Sequence, residues 1–152
     1  MSSPTPNGAD GVVHADSHTR TERVYFEHTD FSGVVYHARY LDFLEHGRSD
    51  YVRMLGVHHH EMMDGRYGEP LAFAVHRMEL DFKAAARIDD VLTVETNRGT
   101  LTGLRLTFEQ TIHRGDTCIL EALVTVVLIT PQGKPRRYPT QLREMMGVKT
   151  AT

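Results

Sequence analysis

Glu27-His28-Thr29-Asp30-Phe31-Ser32-Gly33-Val34-Val35-Tyr36-His37-Ala38-Arg39-Tyr40 is the stretch on which the fold turns. Thr21 to Glu27 reads as a first strand. Thr29 to Gly33 reads as a bend, and the chain after Gly33 as the start of a long amphipathic helix. A carboxylate in such a bend lies beside unpaired backbone N–H groups, because the first turn of a helix has donors without intrahelical acceptors and carries partial positive charge. Asp30 is therefore either a helix cap or turn residue, a common use of Asp, or a reacting group.

From about Tyr36 to Leu55 the apolar residues recur at helical spacing: Tyr40, Phe43, Leu44, Gly47, Tyr51, Met54 and Leu55 share one face, with Arg39, Asp42, His46, Ser49, Asp50 and Arg53 opposite. Gly56 is the expected stop. Gly47, in mid-face, costs about 1 kcal/mol relative to Ala, so something must approach the helix closely there: sheet, second subunit or ligand. Val57 to Glu69 reads as a loop with a single helical turn.

The period then switches to two. Strands are expected over Phe73 to Phe82, Val91 to Thr96, Leu104 to His113 and Ile119 to Ile129, with a short closing helix over Pro139 to Met146. Ile119 to Ile129 is apolar on both faces, so both should be covered. Strands joined by short turns are antiparallel, and the one long helix must bury its face on their sheet. The expected class is α+β: a long central helix wrapped by a curved antiparallel sheet of about five strands, the hot-dog arrangement. Residues 1–19 read as a disordered tail, 20–147 as one domain and 148–152 as a C-terminal tail.

Composition narrows the classes. The 152 residues carry a net charge of −3, which argues against a general nucleic-acid binder. No stretch approaches the roughly 20 apolar residues of a membrane span, and the start lacks a signal-peptide pattern. The lone Cys118 is expected to be a buried, inert thiol. This usage fits a reducing cytoplasm.

The spacing Arg23-Val24, Thr29-Asp30, Gly33-Val34-Val35, His37, Tyr40 resembles the signature of the 4-hydroxybenzoyl-CoA thioesterase family of hot-dog proteins. Tyr40 to Glu45, Arg48, and Lys83 to Asp90 resemble the Tol-Pal-associated acyl-CoA thioesterase branch. The resemblance runs from about Arg23 to Met146. It implies hydrolysis of acyl-CoA without a metal or dissociable cofactor, coenzyme A being part of the substrate. It also implies a site at a dimer interface, often in a tetramer. An acyl-carrier-protein or cell-envelope partner is compatible with it. It places the catalytic carboxylate on Asp30, and an activating backbone N–H and a site imidazole at His37. Two positions depart from that branch: Phe26 stands where a Tyr is usual, and His28 where an Asp is usual.

A thioester carbonyl needs a nucleophile or a base for water, and stabilisation of the developing oxyanion. Asp30 and the His37 N–H are the candidates. Gly33 either lets backbone and thioester approach or is an ordinary turn glycine. Gly33, Val34, Tyr36, Phe26 and Glu45 are the candidate substrate-binding residues. Glu45 and Arg48 either form an intrahelical ion pair or face the acyl site. Arg98, Arg105, Lys134, Arg136 and Arg137 are candidates for the phosphates of coenzyme A, or are solvated charge. His58-His59-His60 lacks the spacing of metal ligands, since adjacent positions do not face one point. The absence of GxSxG, P-loop and GxGxxG patterns disfavours serine hydrolases and nucleotide-binding folds. A hot-dog enoyl-thioester hydratase or dehydratase, and a non-catalytic acyl-CoA-binding protein, are the rival readings.

Overall fold

The computed structural model describes residues 10–151. Its elements are β1 (Val12–Val13), β2 (Ser17–Arg23), a 3-10 turn (Phe26–His28), α1 (Arg39–Met54), α2 (His59–Met63), β3 (Ala72–Phe82), β4 (Val91–Asn97), β5 (Thr100–Thr102), β6 (Arg105–Arg114), β7 (Thr117–Ile129), β8 (Pro135–Arg136), α3 (Thr140–Met146) and β9 (Lys149–Thr150). Five long strands lie in the order β2-β4-β6-β7-β3, all antiparallel. Among the described residues four short strands extend the sheet, and only β5 with β9 is parallel.

The buried face of α1 is the one that periodicity marks. Tyr40, Phe43, Leu44, Gly47, Tyr51 and Met54 are all buried, against Leu92, Val94, Leu106, Phe108 and Ile112 of the sheet's inner face. Full burial of such a side chain stabilises the fold by about 1.5–3 kcal/mol each. What approaches at Gly47 is the sheet: an added Cβ would lie 2.9 Å from both Thr96 Oγ1 and Val94 Cγ1.

Several boundaries move. The first strand is Ser17–Arg23, not Thr21 to Glu27. Its ladder with β4 runs from Ser17 opposite Asn97 to Arg23 opposite Val91, where β4 begins, so residues beyond it have no partner strand. The chain turns instead through Phe26–His28, with the Tyr25 N–H donating to His28 Nδ1 at 2.9 Å. Residues 10–19 are ordered, against the tail expected over 1–19; Val12 and Val13 pair with Thr19 and His18. Backbone pairing holds this segment, so apolar period gave no sign of it. The remainder of the expected tail, 1–9, lies outside the described residues. The helix starts at Arg39 rather than Tyr36, because Val35 donates to the Ala86 carbonyl and Tyr36 to the His28 carbonyl, which keeps the approach extended. Of the expected C-terminal tail, Lys149 and Thr150 pair with Thr100 and Leu101.

One expectation about faces also changes. Asp50, placed on the solvent face of α1, is buried: Arg20 donates to it at 2.6 Å and Arg53 at 2.9 Å. The β1–β2 hairpin covers that flank, and His46 pairs with Glu22 at 2.5 Å beside it. β7 is covered on one face only by its own chain, with Leu123 exposed on the other. Cys118 is half-buried, its thiol directed at the Leu120 carbonyl at 3.7 Å. Among the described residues no helix is long and apolar enough to cross a membrane.

Candidate active site

A tight loop presents Asp30. The Asp30 N–H donates to the Val34 carbonyl and the Gly33 N–H to the Asp30 carbonyl, both at 3.0 Å. Gly33 adopts φ 84° with open space around its Cα, so the turn itself requires glycine. Asp30 Oδ1 accepts the Ser32 hydroxyl at 2.5 Å and the Ser32 N–H at 2.8 Å. Those two bonds, hydroxyl first, hold the exposed carboxyl below its ordinary pKa, and His37 adds a smaller pull in the same direction. The carboxylate is thus ionised, oriented and open to approach. Its second oxygen has no partner among the described residues.

Phe26, Thr29, Phe31, Gly33 and Ile88 surround Asp30 in a wide recess of about 600 Å³. Phe26 is 81% exposed and Phe31 fully so. Phe26 supplies an aromatic wall where a hydroxyl was expected from the family pattern. His28, at the other departing position, caps the 3-10 turn beneath it. Val34 is half-buried and bridges to Arg87. Tyr36 and His37 are exposed, their rings 4.6 Å apart. Among the described residues no acceptor pairs with the His37 backbone N–H, which stands two residues before α1. That donor is free for an oxyanion. A clamp fixes this end: the Ala86 N–H donates to the Tyr40 hydroxyl at 3.1 Å.

Glu45 lies elsewhere. With Arg48, Ser49 and His59 of the helical layer and Phe73, Phe108 and Val126 of the sheet, it lines a more enclosed cleft of about 200 Å³. No residue lines both cavities. Of the two alternatives for Glu45 and Arg48, the ion pair does not form; Glu45 accepts the Ser49 hydroxyl at 2.8 Å. The three histidines diverge, with His58 and His60 rings 5.9 Å apart and His59 turned to Phe73.

The cations proposed for coenzyme A gather at the opposite end of the sheet from Asp30. The Asp30 loop bridges to Arg87, between the end of β3 and the start of β4. Arg105 opens β6, while Lys134 and Arg137 flank β8 beyond the end of β7. The length of β3 separates the two ends by about 30 Å. Arg98 pairs with Asp16 at 3.5 Å and Arg136 with Glu69 at 3.0 Å. Arg105, Lys134 and Arg137 make no ion pair among the described residues.

The sequence profile of the thioesterase superfamily matches residues 32–124. The chain belongs to the thioesterase superfamily. Within that superfamily it is 39% identical over 122 residues to the acyl-CoA thioester hydrolase YbgC of Escherichia coli, across 79% of this chain and 88% of that one. It is 37% identical over 122 residues to the acyl-CoA thioesterase YbgC of Haemophilus influenzae, across 80% and 88%. The crystal structure of a "probable thioesterase" from Bartonella henselae superposes with a TM-score of 0.78 at 46% identity, covering 81% of this chain and 99% of that one. The 4-hydroxybenzoyl-CoA thioesterase of Pseudomonas sp. strain CBS-3 superposes at 0.77 with 19% identity over 86% and 99%, a likeness of fold. The superfamily's hot-dog fold is the one expected from the order of elements.

Three features of this superfamily member escape the spacing argument. Ser32 orients Asp30, and Asp-x-Ser is a local turn signal that could have revealed it. Phe31 and Ile88 wall the recess as exposed apolar residues without period. The cleft around Arg48 joins residues from α1, α2, β3, β6 and β7, and no local pattern announces it.

Proposed function

We propose that the protein hydrolyses the thioester of acyl-CoA to a free acid and coenzyme A, with Asp30 as nucleophile or general base and the His37 N–H polarising the carbonyl. The observation that carries this reading is the pairing of an oriented, ionised carboxylate with an unpaired N–H at the mouth of α1, in a chain of this superfamily. The carboxylate meets the carbonyl carbon, and the N–H takes charge developing on its oxygen. The thiolate leaves with little need of protonation. No metal or dissociable cofactor enters the scheme.

A second copy completes the site in this proposal. Among the described residues β3 pairs only with β7, which leaves its outer edge open. Two-fold antiparallel pairing along that edge would set the Phe82 end of one β3 beside the Ala72 end of the other. Asp30 of one copy would then share an end with Glu45, Arg105, Lys134 and Arg137 of the second. Gly33, Val34, Tyr36 and Phe26 remain the substrate contacts we propose around Asp30. Further pairing to a tetramer would cover Leu123 and the outer face of β7. A cytoplasmic location and an acyl-carrier-protein or envelope partner belong to the same proposal, on resemblance alone.

A panel of saturated acyl-CoAs, followed with a thiol-reactive dye, tests it. Thiol release from at least one is expected. Turnover of enoyl-CoA alone would support the hydratase rival, and binding without release a non-catalytic role.

A further inference from the structure

The cleft beside α1 holds a cation short of partners. Arg48 has five guanidinium N–H donors and uses one, Nη1 to Gln110 Oε1 at 3.0 Å. Gln110 cannot turn away, because its amide donates to the Leu44 carbonyl at 2.9 Å and to Thr96 Oγ1 at 2.8 Å. Among the described residues no carboxylate lies within 4.0 Å of this guanidinium. Its remaining nitrogens are not among the sealed, unpaired polar atoms of the chain, so they face open volume. Burial lowers the Arg48 pKa, with Glu45 acting weakly against that shift, yet an arginine stays charged. Glu45 lines the same cleft and favours the charged guanidinium from beyond ion-pair distance, but a half-buried charge without a direct ion pair is costly.

The space in front of it is apolar on its sheet side, with Glu45, Ser49 and His59 on its helical side; Glu45 is turned to the Ser49 hydroxyl at 2.8 Å. Val52, Phe73, Val75, Phe108 and Val126 wall about 200 Å³, and the Ser49 hydroxyl sits at its edge. We infer that this cleft binds a carboxylate carried on a short apolar group, with the carboxylate on the Arg48 fork and the apolar group against Phe73, Phe108 and Val126. A planar guanidinium matches a carboxylate with two parallel bonds. Two sources share this chemistry: a free carboxylic acid, and an acyl thioester whose far end carries a second carboxylate. The second source rests on the thioester reading above; binding of the free acid does not.

The test uses the full chain and hexanoate, with hexanamide as its uncharged counterpart, followed by amide shifts in NMR spectra. Hexanoate is expected to shift Arg48, Ser49, Phe108 and Val126, and to bind more tightly than hexanamide. Arg48→Met is expected to weaken hexanoate tenfold or more. Arg48→Lys, which keeps the charge without the fork, should fall between and covers the case in which the Met variant fails to fold. A second arm compares thiol release from adipoyl-CoA and hexanoyl-CoA. A kcat/KM ratio favouring adipoyl-CoA that falls tenfold in Arg48→Met assigns the thioester source; hexanoate binding alone assigns the free acid. Equal binding of hexanoate and hexanamide, or hexanoate binding untouched by both variants, together with an ester ratio indifferent to Arg48, overturns the inference. No thiol release from either ester, with Arg48-dependent hexanoate binding intact, overturns the thioester reading and leaves this one standing.

Discussion

Two of the cavities in this chain divide between them what the proposed acyl-transfer site needs. The Asp30 recess has an ionised and oriented carboxylate, the reacting group we propose, but its walls are exposed aromatics around about 600 Å³ of open space. The Arg48 cleft is smaller and better enclosed, yet its carboxylate, Glu45, is occupied by Ser49. One is held by hydrogen bonds within a five-residue loop, the other by packing of a helix on a sheet. The difference teaches that chemistry and enclosure sit at separate places in one chain, and that an open β3 edge offers a way to bring them together.

The largest predicted effect breaks or confirms that division. Asp30→Asn and the double variant Arg105→Glu/Arg137→Glu should each be nearly inactive alone. Mixed after unfolding and refolding together, they should recover about a quarter of wild-type turnover, since half the dimers are mixed and each has one intact site. No recovery would place both functions in one chain. Gly47→Ala should destabilise the protein by about 1–3 kcal/mol in urea melts, because its Cβ would press on Thr96 and Val94. That strain deforms the helix-packed cleft and leaves the Asp30 loop untouched. An unchanged midpoint would show slack between α1 and the sheet.

Removing the imidazole with His37→Ala should lower kcat/KM by less than tenfold, because the proposed contact is the backbone N–H. A loss equal to that of a general base, about a hundredfold or more, would move the role to the ring. The smallest effect concerns pH. The Asp30 pKa is depressed by Ser32, so the acid limb of kcat/KM should lie below the ordinary Asp range. Ser32→Ala should move that limb upward. The same sign governs stability: the contribution is present above the unfolded-state pKa and is lost as pH falls through the folded value. A limb unmoved by Ser32→Ala would detach it from Asp30.

The sequence was most legible where packing repeats. The face from Tyr40 to Met54 and the alternation of Leu106, Phe108, Gln110 and Ile112 name the core because burial follows a fixed period. It was least legible where backbone bonds or long-range contacts decide. Ser17 to Thr19 form a strand through ladder pairing with β4, and polar side chains hid it. Asp50 is buried because a distant hairpin brings Arg20 over it. Asp30 is proposed from its motif, whereas the separation of Glu45 from Asp30 depends on the course of α1 across the sheet, which no local spacing encodes.

The most direct test of the central claim is single-turnover thiol release from an acyl-CoA that the wild type hydrolyses, using Asp30→Asn. The account predicts a loss of about a hundredfold or more, with folding and coenzyme A affinity retained. Release at the wild-type rate from that variant would contradict it.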